Sequence, residues 1–400
     1  MPSNAKQILF FFGIFLSSIQ LEGQSNAPSS ALASSTLKVL KPFVEQRLAW
    51  AMTAEPITVT ASSSTRSSGG KHDFFSEGDY WWPNPASADS PYVQRDGMTN
   101  PDNFTDHRKA MIRFSRIMGA LASGYRIDKN EQYAAKAFQH ARAWFMDTAT
   151  LMNPHLLYAQ AIKGRFTGRG IGIIDMIQML EVSQALIVLE KSKSAKPTEY
   201  VQFRAWFEKY LNWVTHHKYG MDEMNALNNH GTCWTMQVAA FAQFTKNDTL
   251  LNLCRQRYKT LHLPGQMALD GSFPKELART KPYGYSLFNL DAMAMLCHIL
   301  SDKQNNLWTF ALEDKRSIQL AIAFMEPYVK DKSKWTFKQD VMYWENWPVA
   351  HPFLIFGAAA FNNQPLFDTW KNLEHAPDEE EVIRNLPIRN PLIWFDADKL

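Results

Sequence analysis

Residues 232–261 read TCWTMQVAAFAQFTKNDTLLNLCRQRYKTL. In the first half Trp234, Val238, Phe241 and Phe244 recur every third or fourth position; in the second Leu250, Cys254, Tyr258 and Leu261 do the same. A strand would alternate by twos, whereas this spacing places one apolar stripe along each of two helices. The two helices, expected over 232–246 and 248–261, are separated by Asn247 alone, so the pair reads as a helical hairpin. The same period returns over 107–124, 131–147, 171–192, 198–217, 285–301, 314–328 and 349–361. That is too many helices for a four-helix bundle, which leaves a solenoid or an (α/α) toroid of stacked hairpins. No fixed-length repeat is visible, which disfavours a regular solenoid and points to an all-α toroid or barrel.

Strand-like alternation is confined to Ala54–Thr60, the best short strand candidate. Three other segments lack the helical period. Residues 61–70, rich in Ser and Gly, read as a flexible loop. Residues 72–106 are loop-like yet dense in Trp, Tyr, Asp, Asn and Pro, a mixture expected to pack or to meet a ligand. Residues 362–400 are broken by Pro and Asn and are expected to wrap the surface, anchored by Trp394-Phe395.

At the N-terminus Lys6 precedes the apolar run Ile8–Leu16, followed by Ser17-Ser18 and Gly23-Gln24-Ser25. The run is too short to span a bilayer, and its order is that of a secretion signal. No Cys follows it, so no lipid anchor is expected. Residues 1–25 are thus read as a signal peptide and 26–400 as one large domain, secreted or periplasmic, with no membrane insertion after signal removal. The net charge is +3 with no basic runs, which argues against nucleic acid as a partner. Cys233, Cys254 and Cys297 each sit inside an apolar helical pattern and read as buried hydrophobes. The 11 His show no paired metal-ligand spacing, so neither metal nor cofactor is expected. Aromatics make up 13% of the chain, which suits sugar faces as well as a large core.

Two segments carry chemistry. In Asn225-Ala226-Leu227-Asn228-Asn229-His230-Gly231-Thr232, two amides and an imidazole precede a helix expected to begin near Gly231 or Thr232. Free N–H groups and the helix dipole there suit an anion. Read as plain structure, Asn229 is a helix cap and His230 a surface residue. In Asp270–Asp291, Arg279, Tyr283 and Tyr285 lie on a turn leading into an apolar helix; alone, this is a loop with a phenol. Further binding candidates are Tyr80, Trp81 and Trp82 as a stacking platform, and Arg108 in the first turn of a helix. Arg165 and Arg169 flank a Gly-rich loop, and Trp344 lies in a second aromatic cluster. Each of these reads equally as core or solvated surface.

Taken in order, these segments resemble the alginate-lyase-like polysaccharide lyases. The resemblance rests on Glu77–Pro85, Gly168–Asp175, Asn228-Asn229-His230, Asp270-Gly271 with Glu276 and Arg279, and Tyr285, and spans roughly residues 72–360. It implies an α/α toroid with a central cleft or tunnel, an anionic polysaccharide as partner, and β-elimination from a uronate polymer such as alginate or a glucuronan-like chain. It assigns Asn229 to the uronate carboxylate, His230 and Tyr285 to proton transfer, and Arg279 to carboxylate binding or to lowering the pKa of a nearby phenol. Tyr285 is first choice for protonating the leaving oxygen, and Tyr283 is its rival if the alignment slips by two. When proton and leaving group share a sugar face, one Tyr serves both; on opposite faces His230 is the base. The chain departs from better-studied members in carrying His230-Gly231-Thr232-Cys233-Trp234 where they have His-Ser-Tyr-Trp, which leaves the choice of polymer open.

Two rivals use the same residues differently. An α/α-toroid glycoside hydrolase needs two carboxylates flanking the cleaved bond, for which Asp79, Glu276, Asp291 and Glu345 are available. A non-catalytic periplasmic glycan-binding protein would use the aromatics and arginines without needing His230 or Tyr285.

Overall fold

The hairpin at 232–261 forms, as two antiparallel helices in a computed structural model that describes residues 30–87 and 89–395. The proposed signal segment, 1–25, lies outside the described residues. In chain order the helices are α1 (Ser30–Thr53), α2 (Asp106–Asp128), α3 (Glu131–Phe145), α4 (Leu180–Leu189), α5 (Pro197–His216) and α6 (Lys218–Met224). There follow α7 (Asn229–Thr245), α8 (Asp248–Arg257), α9 (Leu263–Gln266), α10 (Pro274–Leu277) and α11 (Pro282–Leu300). The last four are α12 (Ile318–Lys330), α13 (Pro352–Phe361), α14 (Gln364–Lys371) and α15 (Glu380–Asn385).

Packing follows an inner and an outer tier. Helix α2 lies on α4, α4 on α7, α7 on α11 and α11 on α13, while α3, α8 and α14 cover α2, α7 and α13 from outside. In the inner tier α4, α7, α11 and α13 are buried nearly all round, with every residue of α11 from Pro282 to Cys297 buried, while α2 keeps Lys109 and Arg116 exposed. Outer helices keep one apolar face, as in α3, which buries Ala134, Ala137, Phe138, Ala141 and Trp144. A helix with neighbours on both sides must be apolar all round, and one with a single neighbour only on a stripe. This is an all-α, (α/α) toroid. The run Gly170–Leu189 is apolar and long enough to cross a membrane, yet it lies within the toroid, mostly buried. Cys233, Cys254 and Cys297 are buried and unbridged.

Four segments differ from the sequence reading. Helix α1 has the period (Leu40, Val44, Leu48 and Ala51 are buried) and runs unbroken through Pro42, a residue that speaks against a helix interior in the sequence. Ala54–Thr60 is no strand, because its carbonyls are taken by side chains: His140 contacts that of Ala54, Arg113 donates to that of Glu55 and Trp144 to that of Ile57. Thr58 Oγ1 then caps a short 3-10 turn, Val59–Ala61. The expected helix over 171–192 opens as a 3-10 segment, Gly170–Met179, pressed against β4 (below) so closely that a Cβ on Gly172 would stand 2.6 Å from Ala159. The C-terminal segment does not merely wrap the surface. Residues 386–395 are all buried, because Glu181 of α4 accepts the N–H groups of Arg389 and Asn390 at 2.8 and 2.5 Å.

The aromatic segment 72–106 is packed at Phe74–Asp79 and at Asn100 and Asn103, while most of 83–96 is exposed or half-buried. It holds β1 (Phe75–Glu77), β2 (Trp81–Trp82) and β3 (Val93–Gln94); β2 and β3 pair antiparallel, and β1 runs parallel to β4 (Tyr158–Ala161). This small layer packs on α2 and the 3-10 segment and carries Asp79, Tyr80 and Trp81 into the cleft described next.

Candidate active site

Helix α7 begins at Asn229, earlier than its sequence implies, because a distant carboxylate caps it. Glu276 of α10 accepts the Asn229 backbone N–H at 2.7 Å and its side-chain Nδ2–H at 2.8 Å. An anion at a helix N-terminus is stabilised by the free N–H groups and the dipole, and here it also fixes the orientation of the Asn229 amide. Burial pushes the Glu276 carboxyl up, offset in part by the Asn229 N–H groups, His230 and Arg279. One residue on, His230 Nδ1 lies 2.7 Å from Glu223 Oε1, on α6. Gly231 completes the turn: a Cβ there would stand 2.1 Å from the Ala226 carbonyl oxygen. The departure from His-Ser-Tyr-Trp therefore has a local cause, a loop that crosses the helix at backbone distance.

Across a cleft of about 590 Å³, Tyr285 in the second turn of α11 donates to the Tyr80 hydroxyl at 2.8 Å. The Arg279 guanidinium lies over the Tyr285 ring, 4.7 Å from its centre, and is held there by Asp96 at 2.9 Å. Burial raises the Tyr285 phenol well above its ordinary range, reinforced by Tyr80, and the pull of Lys281 and Arg279 does not reverse this. Arg279 thus pulls the phenol down, as one of its expected roles has it, but burial outweighs that pull. Behind Tyr80 runs a buried ion network. Arg108 donates to Asp79 at 2.6 Å and lies 3.3 Å from Asp175; Arg384 bridges Asp79 at 2.5 Å and Glu381 at 2.7 Å; Lys281 donates to Glu381 at 2.6 Å. Burial alone would raise the Asp79 carboxyl, but Arg108 and Arg384 hold it below the usual range.

Comparison with known proteins gives the family. The profile of the alginate lyase family matches residues 58–335. The chain belongs to the alginate lyase family. It is a polysaccharide lyase with the α/α toroid of that family. An alginate lyase from Bacteroides ovatus is similar at 29% identity and a TM-score of 0.77, over 93% of this chain and 99% of that one. Alginate lyase A1-III from Sphingomonas species A1 shares the fold at 14% identity and a TM-score of 0.54, over 88% of this chain and 94% of that one. A form of alginate lyase A1-III complexed with a tetrasaccharide is similar at 15% identity and 0.53, over 93% and 98%. None of the curated proteins compared with the chain matches it.

In this lyase the cleft gathers Asn228, Asn229, His230, Arg279 and Tyr285, together with Tyr80, Trp81, Arg108 and Arg169. Four other sequence candidates lie elsewhere. Trp82 turns away to donate to the Met98 carbonyl oxygen, beneath Arg95. Arg165 is at the rim, over the outer face of Trp81 at 5.2 Å. Tyr283 is fully buried against Trp335 and Trp344, its hydroxyl on the Tyr328 carbonyl, so Tyr285 is the phenol of this helix that reaches the cleft. Trp344 packs on Tyr283 and under Lys332. Arg108 lines the cleft, but its guanidinium is engaged by Asp79 and Asp175.

The sequence reading gave no role to Glu223, Asp96, Lys281 or Arg384. Asp96, Lys281 and Arg384 gain their places through partners far along the chain, as Arg384 does with Asp79, while Glu223 meets His230 only because α6 and α7 fold back on one another. The carboxylates a hydrolase would require are all committed elsewhere. Asp79 faces two arginines, Glu276 holds Asn229, Asp291 is buried on His351, and Glu345 is exposed beside Lys332. Among the described residues no cluster of three or more metal-binding side chains occurs.

Proposed function

We propose that this lyase cleaves a uronate polymer of the alginate type by β-elimination. The reading is carried by the convergence of Asn229, His230, Arg279 and Tyr285 on one cleft whose wall also presents Arg169. Arg169 donates to Gln160, not to a carboxylate, so its charge is available to an anionic sugar. The similar solved proteins are named alginate lyases, which supports the choice of polymer.

The uronate C5 proton is acidified when its carboxylate is met by fixed donors, because charge moves onto that group as the proton leaves. Asn229, its amide set by Glu276, supplies such a donor, and Arg279 adds a cation. His230 takes the C5 proton on Nε2, the ring nitrogen that Glu223 leaves free. The C–H electrons form the C4–C5 double bond as the C4–O bond breaks. The departing glycosidic oxygen takes the Tyr285 proton, becoming a reducing-end hydroxyl; His230 then releases its proton to solvent, and solvent restores the phenol. A phenol whose pKa is raised keeps its proton until an alkoxide-like oxygen appears, which suits the acid role.

A panel of polymannuronate, polyguluronate and glucuronan tests this reading. Ultraviolet absorbance from a C4–C5 double bond is expected with an alginate block, and Arg169→Met is expected to raise KM roughly tenfold, the worth of a charged hydrogen bond. Absorbance with glucuronan alone would move the substrate; reducing ends without absorbance would defeat the reaction. We also propose export, on the strength of Lys6 and the apolar run Ile8–Leu16; N-terminal sequencing of the exported protein tests it.

A further inference from the structure

Glu223 is 2% exposed, and the hydrogen bond its carboxylate makes in the structure is to His230 Nδ1, at 2.7 Å. A carboxylate taken out of water is costly unless a partner compensates it, and a glutamine or leucine would fill the same space without that cost. The other buried acids of the cleft hold helices or bridge chain segments: Glu276 caps α7, Asp79 joins α2 to α15, and Asp175 joins Ser76 to Arg108. Glu223 bridges only from the end of α6 to the start of the next helix, seven residues on, where Glu276 already provides the cap.

We propose that Glu223 is a positioning residue that fixes the proton of neutral His230 on Nδ1 and so presents Nε2, unprotonated, to the substrate. The proposal rests on the reading of His230 as the base. An imidazole whose Nδ1–H is donated to a carboxylate has one tautomer and one ring orientation, and the carboxylate then stabilises the imidazolium formed when Nε2 takes a proton. The groups facing this pair from neighbouring elements are Arg169, which precedes the 3-10 segment, Asp175 within it, Glu276 of α10 and Arg279 after it. Arg169 and Arg279 offset Asp175 and Glu276 in charge, which leaves Glu223 as the anion in direct contact with the ring.

The test compares Glu223→Gln, His230→Gln and the wild type on an alginate substrate, with kcat, KM, pH profile and melting temperature. Glu223→Gln is expected to lower kcat by roughly a hundredfold or more, with KM within about twofold. An unchanged kcat, with His230→Gln inactive, would overturn the role of Glu223 alone. An active His230→Gln would instead overturn the underlying reading of the base. Nitrogen-15 histidine spectra of the wild type keep the proposal open to refutation if the Gln variant does not fold: Nδ1–H is expected, and an Nε2–H tautomer would overturn it.

Discussion

Tyr285 and its neighbours decide the chemistry at the scale of single residues. Its hydroxyl has the Tyr80 hydroxyl at 2.8 Å and the Arg279 guanidinium on its ring face, and the Tyr80 bond turns it toward the cleft. Tyr285→Phe keeps that packing and removes only the proton donor. Its kcat is expected to fall about a hundredfold to ten-thousandfold, the usual worth of one proton-transfer group, with KM nearly unchanged. Gly231 makes a different kind of prediction. Gly231→Ser restores the side chain that better-studied members carry, but its Cβ would meet the Ala226 carbonyl at 2.1 Å, so the loop 224–228 or the start of α7 must shift. A lower melting temperature and reduced kcat are expected together; a variant as stable as the wild type would show that the loop yields freely. Asn229, His230, Arg279 and Tyr285 were legible as a set because their order along the chain matched a family pattern. Their partners Glu223 and Asp96 were not, since no spacing rule links a carboxylate to a ring or guanidinium that only the fold brings near.

Among the elements, α15 shows how much a short helix outside the family-matched region contributes. Through Arg384 it ties Glu381 on its own turn to Asp79 beside Tyr80, and Lys281 at the foot of α11 closes the chain of charges. Burial alone would push the Glu381 carboxyl up, yet Arg384 and Lys281 bring it down to about 2. A depressed carboxyl contributes stability in full above the ordinary glutamate range and loses it as pH falls toward its folded value. Melting temperature is therefore expected to decline below about pH 4.3, the unperturbed glutamate value. Arg384→Met leaves two buried carboxylates short of a partner and should destabilise by about 3 kcal/mol or more. It should also make the acid decline shallower, and a urea titration across pH checks both. The elements themselves were readable where an apolar period ran unbroken. They were missed where tertiary contacts set them: Pro42 obscured the period of α1, side-chain donors took the carbonyls of 54–58, and Glu276 moved the start of α7.

For the molecule as a whole, the toroid is closed from the C-terminal side. The 3-10 turn Pro391–Trp394 lies on α2 and α4, His298 of α11 contacts the Trp394 carbonyl, and Phe395 packs on Phe356 of α13. Trp394→Ala removes a nearly buried indole where tiers from both ends of the sequence meet, and should cost about 3–5 kcal/mol, read as a shift in the denaturation midpoint. The fold class was legible because tiered helices write their burial directly into their period, all-round for inner helices and one-sided for outer ones. The burial of 386–395 was not, because its apolar residues are interspersed with Pro, Arg and Asn and depend on Glu181 for their backbone partners. The cleft is where these scales meet, with walls from β2, α7, α11 and α15 around one His and one Tyr. The most direct measurement is the rate of C4–C5 double-bond absorbance on alginate for the wild type, His230→Gln and Tyr285→Phe. The expected result is absorbance rising with new reducing ends in the wild type and nearly abolished in both variants; reducing ends without absorbance, or full activity in either variant, would contradict it.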